Sequence, residues 1–133
     1  GPGLRDIAFG DLFLQGIRDY RVAMCARGGW NVQTPLFGSD SAVLAREMQA
    51  GGLKAALCCV DTQQLSVDFA GRHFDASLLR DLPDSIDPCG EHGEFHTCVH
   101  AGPMFAQPIR LRRGATVLRD ARFAYTDFQL VLP

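Results

Sequence analysis

No apolar run in these 133 residues is long enough to span a bilayer, and no signal-peptide pattern is visible. These two absences argue against a membrane protein and set a cytoplasmic one as the expectation. Neither sign of charge dominates. A formal net charge of -2 implies no general affinity for nucleic acid or acidic membranes. Internal repeats, coiled-coil heptads and low-complexity segments are missing too. The cysteines number five, an odd set, and Cys58 and Cys59 are adjacent in an apolar run. That usage excludes a simple disulfide framework and fits reduced thiols packed in a core. What remains is globular composition, 47% hydrophobic and 21% charged, in a chain long enough for a real core.

The chain reads as alternating strands and helices. Gly1-Pro2 resembles the scar of a protease-cleaved tag and is set aside. Ile7-Ala8-Phe9 is a short buried strand ending at Gly10-Asp11. A core strand so close to the first residue leads us to expect a chain that starts inside a larger protein. Leu12 to Ala26 is expected to be a helix, with Ile17, Tyr20 and Met24 at helical spacing and Gly28-Gly29 beyond its end. Trp30 to Leu36 is extended. Ser39 or Asp40 caps a helix over Ser41 to Ala50, which Gly51-Gly52 stops. Leu53 to Val60 is a continuous apolar strand of the kind covered on both faces in parallel sheets. Asp61 follows its carboxyl end, where open α/β sheets place ligands. The class is therefore α/β: a partial parallel, Rossmann-like sheet with helices, followed by a smaller mixed or antiparallel β portion. Gln63 to His73 lacks a period and reads as a loop. Asp75 caps a short helix to Leu82. Ile109 to Arg113, Thr116 to Arg119 and Arg122 to Leu132 read as antiparallel strands, with turns at Gly114-Ala115 and Asp120-Ala121.

The densest chemistry lies between Asp87 and Phe105, which holds three of the four histidines and two of the five cysteines. Pro88, Gly90 and Gly93 mark a turn. From Glu94 the pattern alternates. Phe95 and Val99 share the parity expected to enter the core, while Glu94, His96, Cys98 and His100 share the other. A face so rich in ionisable groups is expected to line a solvated pocket. Glu91 and Glu94 either orient an amine or cap backbone N–H groups of the glycine turn. His96 is either a general base or a hydrogen-bonded strand histidine. His92, His96, Cys98, His100 and Cys89 carry zinc-type donors, but their spacing fits no standard zinc pattern, so no metal is expected.

Gly90-Glu91-His92-Gly93-Glu94-Phe95-His96-Thr97, followed by Gly102-Pro103-Met104-Phe105, resembles the signature of the diphthine–ammonia ligase family. That family, which carries the diphthamide synthesis domain, belongs to the adenine-nucleotide alpha hydrolase-like ATP pyrophosphatases. Gly10-Asp11-Leu12-Phe13, Pro35-Leu36-Phe37-Gly38-Ser39-Asp40, Cys59-Val60-Asp61 and Phe69-Ala70-Gly71-Arg72 resemble further blocks in the family's order. Phe37 and Ser39 depart from the family's Pro-Leu-Trp-Gly-Arg-Asp, and nothing matches its phosphate loop, Ser-Gly-Gly-Lys-Asp-Ser. His96 stands where the diphthamide enzymes usually carry glutamate, which resembles a bacterial branch and leaves the acceptor open.

The resemblance implies a carboxyl-terminal portion. Residues 3–37 would be the last strand and helix of a nucleotide-binding domain, and 38–133 the signature-bearing domain. The implied reaction is adenylation of a carboxylate by ATP with magnesium, then amidation by ammonia. Glu91, Glu94 and His96 are implied as catalytic, Gly90, Gly93, Thr97, Asp61 and Arg72 as acceptor-binding, and Gly10 and Asp11 as nucleotide-binding. For Gly10-Asp11 the residues alone read equally as a capped turn, and for Arg72 as a surface salt bridge. Without a phosphate loop the chain is expected to be inactive alone, needing a missing amino-terminal half. Its expected partners are ammonia and a small-molecule or modified-residue carboxylate, with a homodimer also allowed. A non-catalytic ligand-binding module keeping the same turn is the alternative. Glu91, Glu94 and His96 are expected to converge on one cleft near Asp61, so that Glu94→Ala would abolish amidation while leaving the fold intact.

Overall fold

The computed structural model describes residues 3–132; Gly1-Pro2, read above as a tag scar, lies outside the described residues. The chain divides into two compact units between Ser41 and Ala42.

The first unit is a strand–helix–strand crossover. β1 (Asp6–Ala8) pairs in parallel with β2 (Asn31–Gln33), Ile7 opposite Val32. α1 (Gln15–Arg27) connects them. Its end is closed by the glycines: Gly29 takes a φ of +71°, and the Trp30 N–H turns back to the Cys25 carbonyl at 3.0 Å. The apolar stripe of Ile17, Tyr20 and Met24 is exposed, and α1 buries no residue. Two three-residue strands offer too little sheet to cover a thirteen-residue helix. Its arginines instead face aromatic rings, Arg18 over Phe37 at 5.2 Å and Arg21 over Phe9 at 4.2 Å.

α2 (Ser41–Ala50), whose bounds are those expected from its caps, belongs to the second unit from Ala42 onward. β3 (Lys54–Asp61), α3 (Ala76–Asp81), β4 (Phe95–Ala101), β5 (Leu111–Arg119) and β6 (Phe123–Leu130) follow. The four strands form one sheet in the order β4-β3-β6-β5, antiparallel throughout. β3 is thus not the parallel strand its apolar run indicated, and the antiparallel part is the larger of the two sheets. A central strand covered on both faces reads alike in either sheet type. Ala45 of α2 and Leu78 of α3 pack with Ala55, Leu57 and Val60 of β3, Phe95 of β4 and Ala124 of β6.

An irregularity between Leu57 and Cys59 decides what enters that core. Strict alternation from Ala55 and Leu57 would aim Cys59 at the helices. The extra residue, Cys58, resets the parity, so that Val60 pairs with Phe95 and is fully buried. On β4, Phe95 is 3% exposed as expected, whereas Val99 is 38% exposed because β4 is the edge of the sheet. Gly114-Ala115 is not a turn between two strands. It lies at an irregularity within the single strand β5, between Arg113 and Thr116. Asp120 and Ala121 do form the hairpin turn, both at positive φ (53° and 49°).

The stretch read as a loop holds a short 3₁₀ helix, Val67–Phe69. Beyond it the chain lies along the first half of β3. Gly71 N–H donates to the Leu57 carbonyl, Leu57 N–H to the Arg72 carbonyl, and Phe74 N–H to the Ala55 carbonyl. β6 takes over only at Cys59–Asp61. Asp75 then caps α3, its Oδ1 accepting the Leu78 N–H at 2.8 Å. Among the described residues no helix is long and apolar enough to cross a membrane.

Candidate functional site

The turn between Asp87 and Glu94 is held by its own two carboxylates. Asp87 Oδ2 accepts the N–H groups of Cys89 (3.2 Å) and Glu91 (3.0 Å). Glu94 Oε1 accepts the Asp87 N–H at 2.9 Å and Oε2 the His92 N–H at 3.0 Å. Gly90 has φ +67°, and a Cβ there would lie 2.8 Å from the Phe95 carbonyl oxygen. Gly93 has φ +74° with open space around it.

Glu94 is 1% exposed. The expected solvated carboxylate on an outward face is therefore corrected: it points into the turn and satisfies backbone donors. The cause is that a chain folding back this tightly leaves N–H groups with no strand partner, and buried donors need an acceptor. His92 adds its Nδ1 at 3.5 Å from Glu94 Oε1. Glu91 is half-buried in the turn. Its charge and that of Asp87 act on the neighbouring Cys89 thiol, which burial first of all, then these two carboxylates, push up to about 11.

The turn docks at the carboxyl end of β3, as expected, through the Asp61 N–H to the Glu94 carbonyl at 2.9 Å. The Asp61 side chain, however, is fully engaged. Arg122 meets it through two parallel hydrogen bonds, Nε to Oδ1 at 2.9 Å and a terminal nitrogen to Oδ2 at 2.6 Å. Gln63 N–H (3.1 Å) and Gln64 Nε2 (2.9 Å) fill its remaining acceptor positions. Hydrogen bonds from Arg122 and then Gln64 hold its carboxyl well below the usual carboxylate range. Gln64 also reaches the His92 carbonyl at 3.5 Å. Asp61 is thus a strut between the hairpin and the glycine turn, with no lone pair left for a ligand.

His96 is exposed on β4 opposite Cys59, and its carbonyl accepts the Cys58 thiol at 3.5 Å. With Glu94 enclosed and His96 exposed, the three expected catalytic residues do not face one cleft. Thr97 lines a small apolar cavity of about 100 Å³ with Phe95, Val99 and Cys89. Arg72 pairs with Asp81 at 2.8 Å, touches Ser77 Oγ at 3.4 Å and lies over the Phe69 ring. In the first unit, Asp11 meets Arg21 at 2.9 Å.

A larger cavity escaped the sequence reading. It holds about 400 Å³ beside the segment that runs along β3, and Arg72, His73, Ser77, His100 and Arg113 line it. Arg113 donates to the Ala70 carbonyl at 3.0 Å and covers Gly71, where a Cβ would come within 2.5 Å of its Nε. The His73 and His100 rings lie 6.2 Å apart. Burial, then His73 and Lys54, lower the pKa of His100. Arg72 and His100 were visible as polar residues in the sequence. His73 lay in an apparent loop and Arg113 in a distant strand, and only the registers of Ala56 with His73 and of Arg113 with Phe128 bring them together.

Among the described residues no three His, Cys, Asp or Glu side chains lie close enough to hold a metal ion. Two observations bear on the nucleotide that the resemblance implies. Asp11 already answers Arg21, and Lys54, the single lysine, opens a strand rather than a glycine-rich loop. Among curated proteins none matches the chain. A family model, that of the diphthamide synthase C-terminal domain, matches residues 40–125. The match takes in the braced turn, Asp61, the 71–77 segment and most of the sheet, and it covers more than half of the sequence. The chain therefore belongs to the diphthamide synthase C-terminal domain family.

Proposed function

We propose that the unit from Ala42 onward is the acceptor-binding part of an amide ligase of the diphthine–ammonia ligase type. In such a ligase a carboxylate is adenylated with loss of pyrophosphate, and ammonia displaces the adenylate. Nucleotide handling is not assigned to the residues described here. Their part is to bind the acceptor and to orient ammonia. The observation that carries this reading is the family match across a turn whose shape is fixed by its own buried carboxylate. In this reading Glu94 is a positioning residue, and Glu91, on the same turn, takes the proton that ammonia nitrogen gives up on forming the C–N bond. His96 receives the acceptor from the exposed face of β4.

The test is amide formation by the intact ligase carrying this unit. Glu91→Gln should lower turnover with ammonia by about a hundredfold with the unfolding midpoint unchanged. Normal turnover would remove Glu91 from the chemistry. One observation favours the alternative of a non-catalytic binding module: the engagement of both Glu94 and Asp61 in structural bonds. Absence of carboxylate-dependent pyrophosphate release from the intact protein would establish that alternative.

A further inference from the structure

The cavity at Arg113 is lined by none of Glu91, Glu94 and His96, and it shares with the ligase reading only Arg72, implied above as acceptor-binding. Its chemistry is cationic. Arg72 is already matched by Asp81. Arg113 is matched by no carboxylate among the described residues; it donates to the neutral Ala70 carbonyl. A guanidinium has five N–H donors, and one bond leaves donors for a ligand. His73 and His100 add ring N–H donors, two apiece when protonated, and Ser77 adds a hydroxyl. Asp75 also lines the space, but its Oδ1 is engaged by the Leu78 N–H. We infer that this cavity is an oxyanion site, in which Arg113, His73 and His100 together hold one carboxylate or phosphate group of a small ligand.

Three further observations support it. The volume of about 400 Å³ suits a small molecule. Gly71 lets the guanidinium lie directly on the backbone, which fixes the fork in place. The two imidazole rings stand 6.2 Å apart and Lys54 acts on His100, while the carboxylate that lines the cavity, Asp75, is engaged by the Leu78 N–H. A bound carboxylate would favour the protonated imidazoles, so succinate affinity should rise as pH falls from 8 to 6. The groups facing the histidines are Arg72, Arg113, Lys54 and the carboxylate of Asp75, with Asp81 on Arg72.

The experiment titrates the chain with succinate and, separately, with inorganic phosphate at matched ionic strength, following the histidine ring signals by NMR. Saturable shifts are expected at His73 and His100, with His92 and His96 unmoved. Saturation by succinate alone identifies a carboxylate ligand, and by phosphate alone a phosphoryl ligand; either upholds the site. Arg113→Gln should weaken binding about tenfold or more, the usual scale for a lost charged hydrogen bond. Because Arg113 also holds the Ala70 carbonyl, His73→Gln, at an exposed position, provides a second variant and should weaken binding at pH 6 more than at pH 8. No saturable response to either probe, shifts shared equally by His96, or unchanged binding in both variants would overturn the inference.

Discussion

Glu94 and Asp87 close one turn from its two ends: the Glu94 carboxylate takes the Asp87 N–H at 2.9 Å, while the Asp87 carboxylate takes the N–H groups of Cys89 and Glu91. Removing the Glu94 carboxylate takes two charged hydrogen bonds from the turn. Glu94→Ala is therefore expected to destabilise the fold by about 3 kcal/mol, since each hydrogen bond to a charged group contributes roughly 1.5–3 kcal/mol. Glu94→Gln keeps one acceptor oxygen and should cost about 1 kcal/mol. Urea unfolding of the three proteins decides. An unchanged midpoint in Glu94→Ala would restore the expectation, drawn from the sequence, that this side chain is dispensable to the fold.

The two glycines of the turn should respond differently. Both have positive φ, so alanine at either pays roughly 1–2 kcal/mol of backbone strain. Only at Gly90 does the added Cβ also meet a backbone carbonyl, at 2.8 Å. Gly90→Ala should exceed Gly93→Ala in destabilisation by at least about 1 kcal/mol. Equal losses in thermal unfolding would show that the turn relaxes around Gly90.

Acid should act through Asp61. Its carboxyl is depressed in the folded state by Arg122 and Gln64. A depressed carboxylate stabilises the fold above the unfolded value of about 4 and loses that contribution as pH falls toward the folded value. Stability is thus expected to decline below about pH 4. Asp61→Asn, already weaker at neutral pH, should show a shallower decline. Parallel pH profiles for the two proteins would place the acid sensitivity elsewhere.

ATP with magnesium should not bind this chain with micromolar affinity, because its glycines at Gly10 and in the 87–94 turn are joined by no lysine and sit beside carboxylates. Calorimetry is the measurement, and a micromolar isotherm would mean that the phosphates find a site among the arginines instead.

The order of elements was legible from local rules. Gly51-Gly52 and the Asp75 cap bound α2 and α3 almost to the residue. The partnering of β3 was not, because an apolar strand covered on both faces carries no mark of its neighbours' direction. The reset at Cys58 was also hidden, since a single inserted residue leaves no compositional trace. For the candidate site, the turn and its glycines were visible, but the burial of Glu94 depends on where the fold brings the Asp87 and His92 amides. His73 and Arg113 lie forty residues apart in sequence and meet only through strand register, which periodicity within one segment does not encode.

The division of one edge of β3 between two neighbours has a further consequence. Residues 71–74 hold its first half and β6 its second, so the sheet splits like a zipper opened from one end. The gap in that zipper is the Arg113 cavity. A lengthened or shortened 62–70 loop would change the width of the gap while the β3–β4 and β5–β6 ladders kept their pairings. In this architecture, ligand selectivity can drift by loop length alone, independently of the strands that carry the fold.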